Sequence, residues 1–254
     1  MERSHPRRPD REDVNGGLAY ALWLPHDHRP PQKPRPNRPW PGVVIVHGAG
    51  SRKENHADFA RLATAGAWAA LAFDLPGHGD SEPPMSSEAV NHVIAMARLL
   101  ASQEGVDATR VAVRGSSLGG FLAIHAAAAS QEIAGVVAIC PAGEDHLASG
   151  LRRGSLEMRV GDPAALEAWL LAQDIEEAVG RIAPRPLILM HAEGDTQIPS
   201  DHSEELYERA GDPRKLIIVP GGAHQTAQHD PELQGAALHW VERELAPASP
   251  GAGS

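Results

Sequence analysis

The chain predicts an α/β fold: a doubly wound, mostly parallel sheet interrupted by a short helical insertion. Three observations predict it. Short runs of β-branched and small apolar residues recur without the alternation of a half-exposed strand, as in Val43-Val44-Ile45-Val46 and in Ile133 to Cys140. Between them lie segments with helical spacing and capping signals. The length, 254 residues, suits one large domain and would cramp two.

The elements follow in order. Residues 1–17 are polar at first, Arg-rich and Pro-containing, and read as a disordered tail before a single domain over 18–246. Leu18 to Leu24 reads as a short strand. Pro25 to Pro41 holds seven prolines in seventeen positions and is expected as an extended connection. Val43 to Val46 is the first fully buried strand. A helix over His56 to Ala65 leads to a strand at Trp68 to Phe73. A helix capped by Ser86 or Ser87 runs to about Gln103. Then come a strand at Arg110 to Arg114, an Ala-rich helix at Leu118 to Ala129 and the strand ending near Cys140. About 45 residues separate it from the next strand, Leu187 to Met190, more than one crossover helix needs. Asp162-Pro163 pairs an N-cap with a proline at the first helical position, so residues 143–183 are expected to form a helical lid. A longer surface crossover is the alternative. A helix from Ser203 to Ala210, a strand at Leu216 to Val219 and a helix from Pro231 to Leu245 close the domain. Residues 247–254 read as a flexible tail.

Composition narrows the function classes. Hydrophobic residues make up 42% and charged residues 22%, the balance of a soluble globular protein. No apolar run is long enough to span a membrane, and the N-terminal residues lack the apolar core of a secretory signal. One cysteine, Cys140, excludes an internal disulfide framework, and a strand-end thiol is expected to be inert. By elimination a cytoplasmic protein is expected. A net charge of −10 disfavours nucleic acid and anionic membrane surfaces as partners, and 4% aromatics offers no stacking platform. His26 and His28 lack further ligands, so no metal site is expected.

The chemistry concentrates in four loops that follow predicted strands. Gly115-Ser116-Ser117-Leu118-Gly119 lies between a strand and a helix, the setting of a G-x-S-x-G turn. A serine on so sharp a turn tolerates only small neighbours two residues either side, which selects Ser117 over Ser116. A plain tight turn is the alternative. The hydroxyl needs a base. His224, in Gly221-Gly222-Ala223-His224, directly follows the last strand; His229 is the rival, and a solvated loop histidine the plainer reading. The base needs a carboxylate. Asp195, in His191-Ala192-Glu193-Gly194-Asp195, follows its strand at a suitable distance; Glu193 sits too close to the strand, and Asp201 reads as a helix cap. Developing negative charge needs backbone N–H donors. Leu118 supplies one, and His47-Gly48-Ala49-Gly50 the other, at Ala49 or else Gly50. His47 is expected to hold that loop by hydrogen bonds. Trp169 either lines an acyl pocket or seals the core.

Five segments in this order, HGAG at 47–50, DLPGHGDS at 74–81, GSSLGG at 115–120, HAEGD at 191–195 and GGAH at 221–224, resemble the α/β-hydrolase superfamily from about Gly42 to Leu245. The resemblance implies the α/β-hydrolase fold and a Ser–His–Asp hydrolase without a cofactor. It looks closest to the dienelactone-hydrolase-like and small-esterase branches, including those similar to prolyl-oligopeptidase catalytic domains. Dienelactone hydrolases proper carry cysteine where Ser117 stands, so the resemblance does not extend to that substrate. The DLPGHGDS segment is implied to be a structural turn. The function expected is hydrolysis of a carboxylic ester with a small or medium acyl group, on a small-molecule substrate, by a monomer or homodimer. A thioesterase, short-peptide hydrolase or acyltransferase would use the same machinery; a non-catalytic ligand receptor is the alternative of a different class.

Overall fold

In the computed structural model, which describes residues 6–25 and 39–245, the buried runs build one eight-stranded sheet. Its strands are β1 (Arg11–Asn15), β2 (Leu18–Trp23), β3 (Trp40–Val46), β4 (Ala69–Phe73), β5 (Val106–Ser116), β6 (Gly135–Ile139), β7 (Leu187–Ala192) and β8 (Arg214–Val219). The order across the sheet is β1-β2-β4-β3-β5-β6-β7-β8. From β4 to β8 every neighbour is parallel, and β1 and β2 join antiparallel at one edge. The expected histidines 26 and 28, most of the Pro-rich connection, and the C-terminal tail lie outside the described residues.

The absence of alternation in the strands has the expected cause, since both sheet faces are covered. Val44, Val46, Val111 and Val113 enter one apolar cluster with residues of α2 (Ala89–Ala101) and α3 (Leu118–Ala129). Val43, Ile45 and Ala112 enter the other, with α1 (Ala57–Ala65) and α9 (Pro231–Glu244). The helix α3 is buried all round its first ten residues, which explains its glycine, alanine and leucine composition.

Two differences from the sequence reading have physical reasons. The stretch expected as a disordered tail through residue 17 forms β1, paired in register with β2. All five of its residues are exposed, so hydrophobic patterning carries no trace of it. The hairpin turn is nonetheless encoded in Gly16 and Gly17, both at positive φ (58° and 80°), as a two-residue turn between twisted strands requires. The second difference is in the insertion. Besides α5 (Pro163–Leu171), capped by Asp162 as expected, it holds α4 (Glu144–Arg152) and α6 (Ile175–Gly180). Its Val160 bridges to Met85, and Arg159 bonds the carbonyls of Ser81 and Glu82, so it is tied back onto the turn after β4.

That turn contains a buried ion pair. Asp74, fully buried, accepts from the Lys53 amide (2.7 Å), the Lys53 ammonium (2.9 Å) and the Asp80 amide (2.9 Å). Removing the carboxylate leaves the Lys53 ammonium with only the more exposed carboxylates of Asp80 (2.7 Å) and Glu54 (2.8 Å) and takes the acceptor from two backbone amides. Asp74→Ala is therefore expected to cost about 3–5 kcal/mol in urea denaturation, whereas Asp80→Ala, at an exposed carboxylate, costs under about 1 kcal/mol.

Burial of histidines makes this fold sensitive to mild acid. Burial, the largest cause in each case, lowers His47 and His125 to about 4 and His56 to about 2. All three are neutral in the folded chain near neutral pH, but protonate in the unfolded chain below about 6.5. Their contribution is thus intact above that value and is lost progressively as pH falls from 6.5 toward 4. Each loses up to about 1.4 kcal/mol per pH unit. Thermal denaturation is expected to shift down by about 10 °C between pH 7.5 and 5.5, and less in His125→Leu.

Candidate active site

The candidate residues sit where the parallel strands end. Ser117 follows β5, Asp195 follows β7, His224 follows β8 and Ala49 follows β3, so they meet at the carboxyl edge of the sheet. Ser117 is held at φ 54°, ψ −119°, a conformation that costs a non-glycine residue energy and here marks the sharp strand-to-helix turn. The small neighbours are required by contact. A Cβ on Gly115 would meet the Gly119 carbonyl oxygen at 2.0 Å, and one on Gly119 would meet that of Val46 at 2.1 Å.

Asp195 and His224 form a short pair, 2.6 Å from Nδ1 to Oδ2. The other carboxylate oxygen accepts from the amides of Gln197 (2.8 Å) and Ile198 (3.1 Å), fixing the group's rotation. Burial pushes the Asp195 carboxyl up, but bonds from His224, Ile198 and Gln197 outweigh it and hold it below its ordinary value. His191 supports it from behind. Its Nε2–H donates to the Ile198 carbonyl (2.9 Å) and lies 3.3 Å from Asp195, while the Ser203 hydroxyl donates to Nδ1. Cys140 also stands beside the pair, its sulfur within 4.8 Å of ligand atoms on both. Burial pushes this thiol up to about 12, so it is neither a nucleophile nor a ready metal ligand near neutral pH.

With Nδ1 committed to Asp195, Nε2 is the ring nitrogen of His224 left for the cavity. That cavity, of about 420 Å³, is lined by Ser117 and His224 together with Gly48, Ala49 and the α4 residues His146 and Leu147. Among the described residues, neither the Ala49 nor the Leu118 N–H has a protein acceptor. His47 explains how the first is aimed. It takes the Leu75 N–H on Nε2 (2.9 Å), so its proton is on Nδ1, and that donates to the Gly48 carbonyl (2.7 Å). Gly48 C=O and Ala49 N–H share one planar trans peptide and point oppositely, so holding the first orients the second.

The rivals fall elsewhere. Glu193 accepts from the Gly221 amide and ties the two loops together. Asp201 is an exposed first residue of α7 (Asp201–Arg209). His229 lies 3.6 Å from Asp58 on the surface. Gly50 faces Glu157. Trp169 packs edge-on against Phe121, with ring centroids 6.2 Å apart, and is not among the residues lining the cavity.

A model of the Alpha/beta hydrolase family matches residues 43–187, more than half of the chain. The chain belongs to the alpha/beta hydrolase family. This alpha/beta hydrolase is 24% identical over 198 residues to the uncharacterised protein YfhR of Escherichia coli O157:H7, covering 74% of this chain and 64% of the relative. It is 26% identical over 200 residues to the uncharacterised protein Rv2307c of Mycobacterium tuberculosis, covering 76% and 64%. It therefore spans somewhat less than two thirds of the length of those relatives. Solved structures with the same fold include the alpha/beta hydrolase GrgF from Penicillium sp. sh18 (TM-score 0.73, 18% identity, 94% of this chain and 99% of that one). Another is Est1E from Butyrivibrio proteoclasticus with ferulic acid bound (TM-score 0.72, 18% identity, 93% and 100%). Among the described residues, no helix is long and apolar enough to cross a membrane.

Sequence reasoning missed Arg114 of this alpha/beta hydrolase. It is fully buried, donating to the Gln228 carbonyl (3.0 Å) and the Gln234 side chain (3.1 Å), while Gln234 holds the Ala227 carbonyl (2.6 Å). It thus braces α8 (Thr226–His229), the turn directly after His224. Its signal was in plain view: a charged residue closing the apolar run Val111-Ala112-Val113. The cavity contributions of His146, Arg153 and Gln197 had no such signal.

Proposed function

We propose that this alpha/beta hydrolase is a serine esterase that cleaves carboxylic esters of small or medium acyl groups through an acyl-enzyme. The observation that carries the reading is that His224, paired with Asp195 at 2.6 Å, lines the same cavity as the strained Ser117. In the first half-reaction His224 Nε2 takes the Ser117 proton as Oγ bonds to the ester carbon. The tetrahedral oxyanion is met by the N–H groups of Ala49 and Leu118 at the N-terminus of α3. His224 then gives that proton to the alcohol oxygen, which leaves as the C–O bond breaks. Water repeats the sequence: His224 takes its proton, the acyl carbon passes to hydroxide, and Ser117 recovers its own. Asp195 holds the imidazole with Nδ1 protonated and stabilises the imidazolium. The cavity volume supports a small or medium acyl group. A small-molecule substrate and catalysis without metal or cofactor belong to the same proposal.

The test is hydrolysis of p-nitrophenyl esters from acetate to dodecanoate. Turnover peaking at short or middle chain lengths is expected. Turnover that rises steadily to dodecanoate would contradict the acyl size, and none on any ester would contradict the esterase reading.

A further inference from the structure

The cavity's charge does not match the protein's. The chain carries 33 acidic residues against 23 basic ones, yet none of the residues lining the cavity of Ser117 and His224 is acidic. Arg153 is the only lysine or arginine among them. It is exposed at the residue following α4, and its guanidinium donates to the Ser149 hydroxyl one turn back. Among the described residues no carboxylate pairs with it, whereas its neighbour Arg152 is paired with Glu167 at 2.8 Å. Leu147 and Leu156 give that wall an apolar part, and most of the remaining lining side chains are polar. Ser116, Thr196, Gln197 and Gln225 border the same space.

A second cavity of about 510 Å³ adjoins the first, since His146 lines both. It has the opposite character, with Glu144, Asp145, Asp174 and Glu176 in its wall. The cationic residue thus lies on the Ser117 side of His146 and the carboxylates lie beyond it.

We propose that the ester substrate bears an anionic group, such as a carboxylate, which the unpaired Arg153 binds at the wall of the catalytic cavity. The proposal rests on the esterase reading and adds the substrate's charge. A guanidinium meets a carboxylate through two parallel N–H···O bonds, so it selects orientation as well as charge. Held there, the anion fixes how the ester carbonyl approaches Ser117.

Matched ester pairs test it: mono-4-nitrophenyl adipate against 4-nitrophenyl hexanoate for an anion on the acyl side, and 4-acetoxybenzoate against its methyl ester for the alcohol side. The wild type is expected to favour the anionic member of at least one pair by about tenfold in kcat/KM. Arg153→Met is expected to reduce that ratio at least about fivefold, Arg153→Lys to retain part of it, and added salt to weaken it. Ratios at or below one in both pairs would overturn the proposal, as would a ratio unchanged in Arg153→Met. Faster cleavage of 4-nitrophenyl 6-aminohexanoate than of the adipate would also overturn it, by giving recognition to the acidic neighbour. If no ester turns over, the esterase reading fails separately, and calorimetry decides the charge. Monomethyl adipate binding to Ser117→Ala but not to Ser117→Ala/Arg153→Met would support the anion site. No binding, or equal binding, would reject it.

Discussion

Ser117→Ala is expected to lower kcat on any ester the wild type cleaves by at least about ten-thousandfold, with KM changing little. The hydroxyl is the atom that would bond to the acyl carbon, and of the hydroxyl residues lining the cavity it is Ser117 that sits on the strained strand-to-helix turn. Ser116 is its neighbour in sequence, but it is the last residue of β5 and its Oγ is not on the turn. Among the described residues Ser117 Oγ makes no hydrogen bond within the protein, so its loss removes chemistry without removing a support. Thermal denaturation should therefore be nearly unchanged. A large drop in melting temperature would mean that the serine holds the turn together, and the kinetic loss would then say little about mechanism.

Asp195→Asn is expected to cost about 10³–10⁴-fold in kcat while the fold survives. The argument is one of proton placement. The Gln197 and Ile198 amides both donate to one carboxylate oxygen, so the asparagine must keep its carbonyl oxygen there. Its NH₂ then faces His224 where the other oxygen accepted at 2.6 Å. Nδ1 is forced to become the acceptor, the imidazole proton moves to Nε2, and the nitrogen facing Ser117 can no longer take a proton. The measurement is kcat and KM on one ester, with circular dichroism to confirm folding. A variant within about tenfold of wild type would remove Asp195 from the mechanism.

Much of this was legible because the same physical constraints write both sequence and structure. A strand covered on both faces needs apolar residues at every position, which is why Val43 to Val46 and Ile133 to Cys140 stood out. The turn at Ser117 stood out because backbone contacts near 2 Å leave no alternative to glycine at 115 and 119. The strand β1 was invisible because it is an exposed edge, where the ladder is backbone and the side chains are free. Trp169 could not be placed because a helix records which residues face inward but not what they meet. The cavity wall was the least legible part. Arg153 and Ser155 come from the turn after α4 and Thr196 from the loop after β7, segments whose convergence depends on the fold, and each alone looks like a surface residue.

Whether Ser117 is the activated nucleophile is decided by labelling the wild-type protein with a fluorophosphonate and mapping the adduct by peptide mass spectrometry. A serine hydroxyl with a working base displaces fluoride and keeps the phosphonyl group, whatever acyl substrate the cavity prefers. One adduct per chain on the peptide bearing Ser117, absent from His224→Ala, is the predicted result. An unlabelled protein, or label carried by another residue, would contradict it.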